Sequence, residues 1–170
     1  MLPSQWTIRV GSLLLIAAGL FIALCLFTYH PADIPLLSSH PQRPAFNVGG
    51  TVGTWIGFVG RGGFGWASLL APLVCVLWAW RLWQGSRWQI HGVSLTLASL
   101  FLMSSAATLL ALRGADETVR TALGGMVGFL AARAGQYYLG TIGTILAAGC
   151  IGLLAWLIVS GQALRGAEQG

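Results

Sequence analysis

Apolar residues along this chain collect in four long windows that carry no charge, and short polar segments separate them. A helix needs about 20 residues to cross the roughly 30 Å hydrocarbon core of a bilayer, and each window is long enough. Because backbone N–H and C=O groups find no water partner in lipid, each window should be helical. The pattern therefore predicts one membrane domain, residues 1–170, with four transmembrane helices at about residues 11–29, 63–83, 91–112 and 138–161.

A glycine pattern occurs twice, 75 residues apart. Residues 49–53 read Gly-Gly-Thr-Val-Gly, and residues 124–128 read Gly-Gly-Met-Val-Gly. The same spacing relates two further glycine pairs downstream, Gly60 with Gly135 and Gly65 with Gly140. Each copy leads into an apolar window, so the chain is expected to be two copies of one membrane hairpin. Because each copy would cross the membrane twice, the two hairpins are predicted to be parallel repeats, related by an axis near the membrane normal.

Each glycine pattern also predicts a short helix that lies at the membrane interface, at about residues 47–60 and 122–135. Fourteen helical residues extend only about 21 Å, which is too short to span. Asn47 is the expected N-cap of the first short helix. Small residues at every fourth position form a stripe that lets another helix approach closely, and that helix belongs either to the same chain or to another copy. The candidate packing residues are Gly49, Gly53 and Gly57 in the first copy and Gly124, Gly128 and Ala132 in the second.

Composition supports an all-α membrane protein, since 56% of the residues are hydrophobic, 8% are charged and the mean hydropathy is +0.77. The net charge of +5 comes from nine arginines, which stand singly beside the apolar windows and form no basic run. We therefore expect lipid contact and no direct nucleic-acid binding. The arginines divide almost evenly between the two sides, so charge alone leaves the orientation open. The Pro-, Ser- and His-rich segment 29–47 reads as an outer loop, which favours cytoplasmic termini.

Candidate chemistry is sparse in this chain. It contains no lysine, which excludes a phosphate-binding P-loop, and no charged residue falls in the centre of a predicted span. His30, Asp33 and His40 lie in one loop, but their spacing fits no zinc pattern, and Asp33 is expected to pin the loop after Tyr29. We therefore expect no catalytic residue, no metal site and no cofactor. Three cysteines lie in apolar windows and are read as small hydrophobic residues: Cys25, Cys75 and Cys150.

Three segments resemble motifs of a known family. The stretch Phe27-Thr28-Tyr29-His30-Pro31-Ala32-Asp33-Ile34-Pro35 is similar to the Ser-Tyr-x-Pro-x-Asp-Pro stretch that follows the first span in the N-terminal four-helix membrane domain of FtsK/SpoIIIE-type bacterial DNA translocases. Residues 47–53 with Phe64-Gly65, and residues 124–128 with Gly140, resemble that domain's glycine motifs before its second and fourth spans. Thr28 stands where the family usually has Ser, and Ile34 separates the Asp from the Pro.

The resemblance implies a multi-pass protein of the bacterial inner membrane with both termini in the cytoplasm. It also implies a place at the division septum, assembly into hexamers, contact with other division proteins and an ATP-driven DNA pump encoded beyond residue 170. Whether the chain is part of such a protein or a stand-alone membrane module stays open. The rival interpretation is a small four-helix transporter or channel subunit, which needs a polar path, and the available hydroxyls are Thr28, Ser68, Ser94, Thr96, Ser99, Ser104, Ser105 and Thr108. A membrane-embedded enzyme has the least support.

Overall fold

The structure, a computed structural model, describes residues 5–34, 37, 45–83 and 92–160, and every regular element in these ranges is helical. This confirms the all-α class. Two 3₁₀ turns, Pro31–Asp33 and Gly65–Leu69, interrupt the helices. The helices in chain order are α1 (Gln5–Phe27), α2 (Gly50–Phe64), α3 (Leu70–Trp83), α4 (Gly92–Ala111) and α5 (Glu117–Ser160).

Four helical stretches are long and apolar enough to cross a membrane, as the hydrophobic windows predict. Two of them, Trp6–Phe27 and Ser94–Ala111, have 22 and 18 residues. The other two, Gly50–Trp83 and Glu117–Ser160, have 34 and 44 residues, which is longer than a bilayer requires. Their extra length arises because each joins a short glycine-rich helix to the apolar helix that follows it.

The breaks inside these two long stretches occur at glycines with positive φ. Gly125 and Gly140 have φ of 65° and 69° with nearly extended ψ, a conformation that essentially only glycine adopts, and they divide α5 into segments 117–124, 125–139 and 140–160. Gly50 (φ 60°) begins α2, and Gly65 (φ 58°) ends it. We call α2 the first glycine helix and residues 125–139 the second glycine helix. Both have 15 residues, and their corresponding boundary glycines are 75 residues apart.

The glycine helices therefore begin and end slightly later in the chain than the sequence pattern predicts. The first starts at Gly50 instead of residue 47 and ends at Phe64 instead of residue 60. The physical reason is that helix ends are decided by the left-handed glycines, whereas the spacing of apolar residues registers only the face of a helix. At the other end of the chain, α1 already begins at Gln5, six residues before the predicted span.

Two pairs of helices make up the fold. α1 packs along α3, and α4 packs along α5. Between α1 and α3, a methyl group at Gly19 would lie only 3.0 Å from Cys75 Cβ, so the two backbones approach closely. Between α4 and α5, the Ser105 hydroxyl donates a hydrogen bond of 2.5 Å to the Ala148 carbonyl. The two pairs meet mainly where α2 and the Gly65–Leu69 turn lie against α4 and α5.

The interior of the fold is made of small residues, while many large apolar side chains face outward. A buried cluster of Val74, Ala98 and Val159 joins α3, α4 and α5. Leucines and isoleucines such as Leu14 and Leu153 are exposed on the outer faces. This distribution is the one expected when lipid, and not water, surrounds a bundle, because association then relies on close packing of small residues.

Candidate functional site

The glycine stripe of the first glycine helix lies against the last turn of α1. Methyl groups at Gly49 and Gly53 would lie 2.7 Å and 2.9 Å from the Cys25 sulfur, which is fully buried. At Gly57, a methyl group would lie 2.8 Å from the Tyr29 ring. Any side chain on this stripe would push α2 away from α1, so the predicted packing residues of the first copy are occupied by a helix of their own chain.

The stripe of the second copy lies against α4. Methyl groups at Gly124 and Gly128 would both collide with the Ala107 carbonyl, and one at Gly124 would also lie 2.7 Å from Ala111 Cβ. Ala132, the third predicted residue of this stripe, is 1% exposed. Both stripes therefore face the helix that precedes their own glycine helix.

A buried polar network holds the outer loop on α1. The Asp33 carboxylate accepts hydrogen bonds of 3.0 Å from the backbone N–H groups of Phe46 and Asn47, so Asp33 does pin the loop. The Asn47 side-chain amide donates to the Cys25 carbonyl at 2.8 Å, and its oxygen accepts from Gly49 N–H at 2.9 Å. The two resemblance motifs around Asp33 and Asn47, which lie 14 residues apart in the chain, thus form one structural unit.

The prediction that Asn47 is the N-cap of the first glycine helix is wrong. The cap position is Gly49, which has no side chain to bond the first helical N–H groups. Asn47 instead closes a turn by accepting from the N–H two residues along the chain and bridges that turn to α1. The hydrogen bond to the end of α1 satisfies a carbonyl that has no partner inside its helix.

The two halves of the chain touch backbone to backbone at one point, which we call the glycine junction: the contact of Gly65 with Leu123 and Gly125. A methyl group at Gly65 would overlap the Leu123 carbonyl, and one at Gly125 would overlap the Gly63 carbonyl. Gly65 and Gly125 are both buried. The end of the first glycine helix is therefore seated on the start of the second, at a separation that no other residue type allows.

Each glycine helix is also tied to its outgoing helix by a hydroxyl. Ser68 donates to the Gly65 carbonyl at 2.6 Å, and Thr144 donates to the Gly140 carbonyl at 2.6 Å. A methyl group at Gly60 would lie 3.4 Å from Ser68 Cβ, and one at Gly135 would overlap Thr144. The same device therefore recurs at the end of both glycine helices.

Charged groups near the outer loop are engaged with neighbours. The Arg61 guanidinium carbon lies 3.8 Å from the centre of the Trp66 ring, a cation–π contact that bridges α2 to the turn after it. Burial raises the pKa of Tyr29, and the positive charge of Arg61 offsets part of that rise. The Tyr29 hydroxyl therefore stays protonated at neutral pH and has no acid–base role there.

The loop residues considered as metal ligands serve other purposes where the structure describes them. No group of three His, Cys, Asp or Glu residues with metal-binding geometry occurs among the described residues. His30 accepts a hydrogen bond from Ala32 N–H at 3.3 Å, and its ring packs on Phe46. Asp33 is committed to the loop backbone. His40 lies outside the described residues.

The comparisons with known proteins bear on the whole of this arrangement. A family model described as the 4TM region of DNA translocase FtsK/SpoIIIE matches residues 7–168. The chain belongs to this family. The match spans all five helices of the FtsK/SpoIIIE membrane domain described above and agrees with the resemblance seen in its motifs. Neither the curated proteins nor the solved structures compared with the chain gave a match.

The sequence patterns of this FtsK/SpoIIIE membrane domain leave several packing residues unassigned. Cys25 is the surface on which the first stripe rests, and Gly65 and Gly125 form the glycine junction. Gly65 is visible in the 75-residue spacing, but spacing alone carries no information on what a residue contacts. The available signal is the combination of a matched spacing with glycine, because only glycine allows both positive φ and backbone contact.

Proposed function

We propose that this chain is the membrane anchor and oligomerisation domain of a DNA translocase that acts at the division septum in bacterial cell division and chromosome segregation. The observation that carries the proposal is the family match over residues 7–168, together with four helical stretches able to span a membrane. The chain itself has no catalytic role in this account. It contains no lysine, so the P-loop that such a motor needs lies elsewhere.

An anchor must stay in the bilayer while a motor pulls on DNA, and the fold suits that task. Four apolar helical stretches give the domain a large lipid-facing surface, and removing each from lipid would expose apolar area to water. Four crossings return the chain to the side on which it starts, so both termini lie on one side, which we assign to the cytoplasm. Backbone contact at the glycine junction links the two helix pairs, so that force applied to one is passed to the other.

The proposed partners are the lipid bilayer, further copies of this chain and other division proteins, with six copies expected from the family. Direct nucleic-acid contact is not part of the proposal, because the arginines form no basic patch. Those described near the outer loop are held by local contacts. Arg61 stacks on Trp66, Arg120 bonds to the Gly114 carbonyl and Gln136, and Arg133 pairs with Glu117 at 3.5 Å.

The rival function, a small transporter or channel subunit, needs polar groups along a path. Several candidate hydroxyls are instead bonded to backbone carbonyls: Ser68 to Gly65, Ser99 to Leu95, Ser105 to Ala148 and Thr108 to Ser104. Two grooves of about 370 Å³ and 450 Å³ lie between the helices, and their linings are almost entirely apolar. Such grooves suit acyl chains better than ions.

A localisation experiment tests the proposed function. The chain is fused to a fluorescent protein at its C-terminus and expressed at low level in dividing rod-shaped bacteria, with an unrelated four-span membrane protein carrying the same tag as control. We expect a band at midcell for the chain and uniform membrane fluorescence for the control. Uniform fluorescence from an intact, membrane-inserted chain would contradict the septal role.

A further inference from the structure

The glycine junction is made once in the chain, although each of its two halves is present twice. One half is the end of a glycine helix, at Gly65 in the first copy and at Gly140 in the second. The other half is the start of a glycine helix, at Gly125 in the second copy and at Gly50 in the first. All four glycines have φ between 58° and 69°. Gly140 and Gly50 therefore present the same backbone conformation as the two residues that join.

Burial separates the used halves from the unused ones. Gly65 and Gly125 are buried, whereas Gly140 is exposed and Gly50 is partly exposed, and a methyl group on either of the latter would meet no atom within 4 Å. Flanking residues show the same contrast at matching positions. Ala67 is 3% exposed and its counterpart Ile142 is 76% exposed, and Leu123 is half-buried while its counterpart Val48 is 70% exposed.

We propose that copies of this chain associate head to tail by repeating the glycine junction between molecules, with the Gly140 end of one copy seated on the Gly50 start of the next. The inference rests on the proposed function as an oligomerisation domain and names the surfaces that carry it. A second copy is the occupant because it presents the matching half in the required backbone conformation. The two surfaces differ, so the contact is heterologous and forms a ring when the rotation between copies closes.

The packing stripes are not the surfaces used between copies. Gly49, Gly53, Gly124 and Gly128 already face α1 or α4 of their own chain at separations that leave no room for another helix. The open surfaces instead lie at the ends of the glycine helices. Tyr137 and Tyr138, which precede Gly140, are among the most exposed large side chains described, and the proposed contact covers them.

Cysteine cross-linking in the membrane tests this contact. In a background where Cys25, Cys75 and Cys150 are replaced by alanine, Val48→Cys and Thr141→Cys place one thiol on each proposed surface, at the positions matching Leu123 and Trp66 of the internal junction. A short bismaleimide is expected to convert most of the 48/141 variant into a ladder of dimers and higher species. The matched control pairs Val48→Cys with Leu154→Cys, which is also exposed but lies 14 residues beyond Gly140 on α5. It is expected to stay almost entirely uncross-linked.

Size measurement on the same samples separates the possible failures. If the 48/141 variant gives no ladder but the chain is still multimeric in mild detergent, the head-to-tail contact is wrong and the oligomerisation function stands. If no ladder forms and the chain is monomeric, both are wrong. Equal cross-linking of the 48/141 and 48/154 variants would also overturn the contact, since Tyr137 and Tyr138 would then be exposed to lipid headgroups as interfacial aromatic residues. The internal pair Trp66→Cys with Leu123→Cys, cross-linked within one chain, calibrates the reagent.

Discussion

At the residue scale, Asp33 and Asn47 hold the outer loop by four hydrogen bonds from or to backbone atoms. Both side chains are buried, at 6% and 3% exposure, in a chain with only four acidic residues. A buried polar group that loses its partner costs about 1–3 kcal/mol, so these two residues should matter more for stability than the loop's irregular shape indicates.

Replacing Asp33 tests this network. In Asp33→Asn, one carboxylate oxygen becomes an NH₂ group that faces a backbone N–H, so one acceptor is lost and two donors oppose each other. We expect the free energy of unfolding in detergent to fall by about 1–3 kcal/mol. Asp116→Asn, at an exposed acid, is the control and should leave stability within about 0.5 kcal/mol. Equal stability of the two variants would show that the network contributes nothing measurable.

The glycines offer a second residue-scale prediction, a ranking of alanine substitutions. Gly65→Ala and Gly125→Ala combine positive φ with backbone overlap, so they should be the most damaging. Gly140→Ala carries only the backbone strain, about 1–3 kcal/mol, because no atom lies within 4 Å. Gly149→Ala, in open space within α5, should be neutral or stabilising. Thermal unfolding of the four variants gives the order, and a Gly125→Ala variant as stable as Gly149→Ala would refute the glycine junction.

Residue roles were partly predictable from the sequence. Asp33 stands out because it is an acid in a Pro-rich loop after an apolar window, and its pinning role is confirmed. The function of Asn47 was missed, since a helix cap and a turn that bridges to α1 both place an Asn just before a helix. The partner of that bridge, the Cys25 carbonyl, lies 22 residues away in sequence, and no local pattern points to it.

At the element scale, the fit of α2 on α1 depends on which glycines of α2 face inward. Gly53 faces Cys25 and the Asn47 side chain, whereas Gly62 lies on the outer side, where a methyl group would make ordinary contact with Phe58 at 3.9 Å. Both residues are in the same helix, so substitutions at the two positions share the same change in helix propensity.

This pair gives the element-scale prediction. Gly53→Ala should lower the melting temperature of the domain by several degrees because α2 must move away from α1, while Gly62→Ala should leave it unchanged or raise it. Thermal unfolding followed by intrinsic tryptophan fluorescence measures both. Indistinguishable melting temperatures would mean that the stripe does not hold α2 on α1.

The elements themselves were largely predictable, and their boundaries were less so. Charge-free windows of about 20 residues indicate spans because lipid leaves a helix as the satisfied conformation for an isolated segment. The glycine helices shift downstream because Gly50, Gly65, Gly125 and Gly140 adopt positive φ, which sequence periodicity does not encode. The contact between Gly65 and Gly125 depends on how the two helix pairs dock, a three-dimensional property that the 75-residue spacing alone leaves undetermined.

At the scale of the whole molecule, orientation follows from four crossings and the assignment of the loop before α2 to the outer side. Single cysteines at Ser39 and Ser86, in a background without the native cysteines, report the two sides. We expect an impermeant maleimide to label Ser39→Cys from the periplasm and to reach Ser86→Cys only after the inner membrane is opened. The reverse labelling pattern would place both termini outside and contradict the orientation proposed here.

The central claim of this account is that a domain without a motor anchors and assembles copies of itself in the membrane. Native mass spectrometry of the chain, released from lipid nanodiscs at low collision energy, tests it most directly. The account predicts one dominant assembly of more than two copies, six by family relationship, that persists on tenfold dilution. A monomer as the dominant species at every concentration would contradict it.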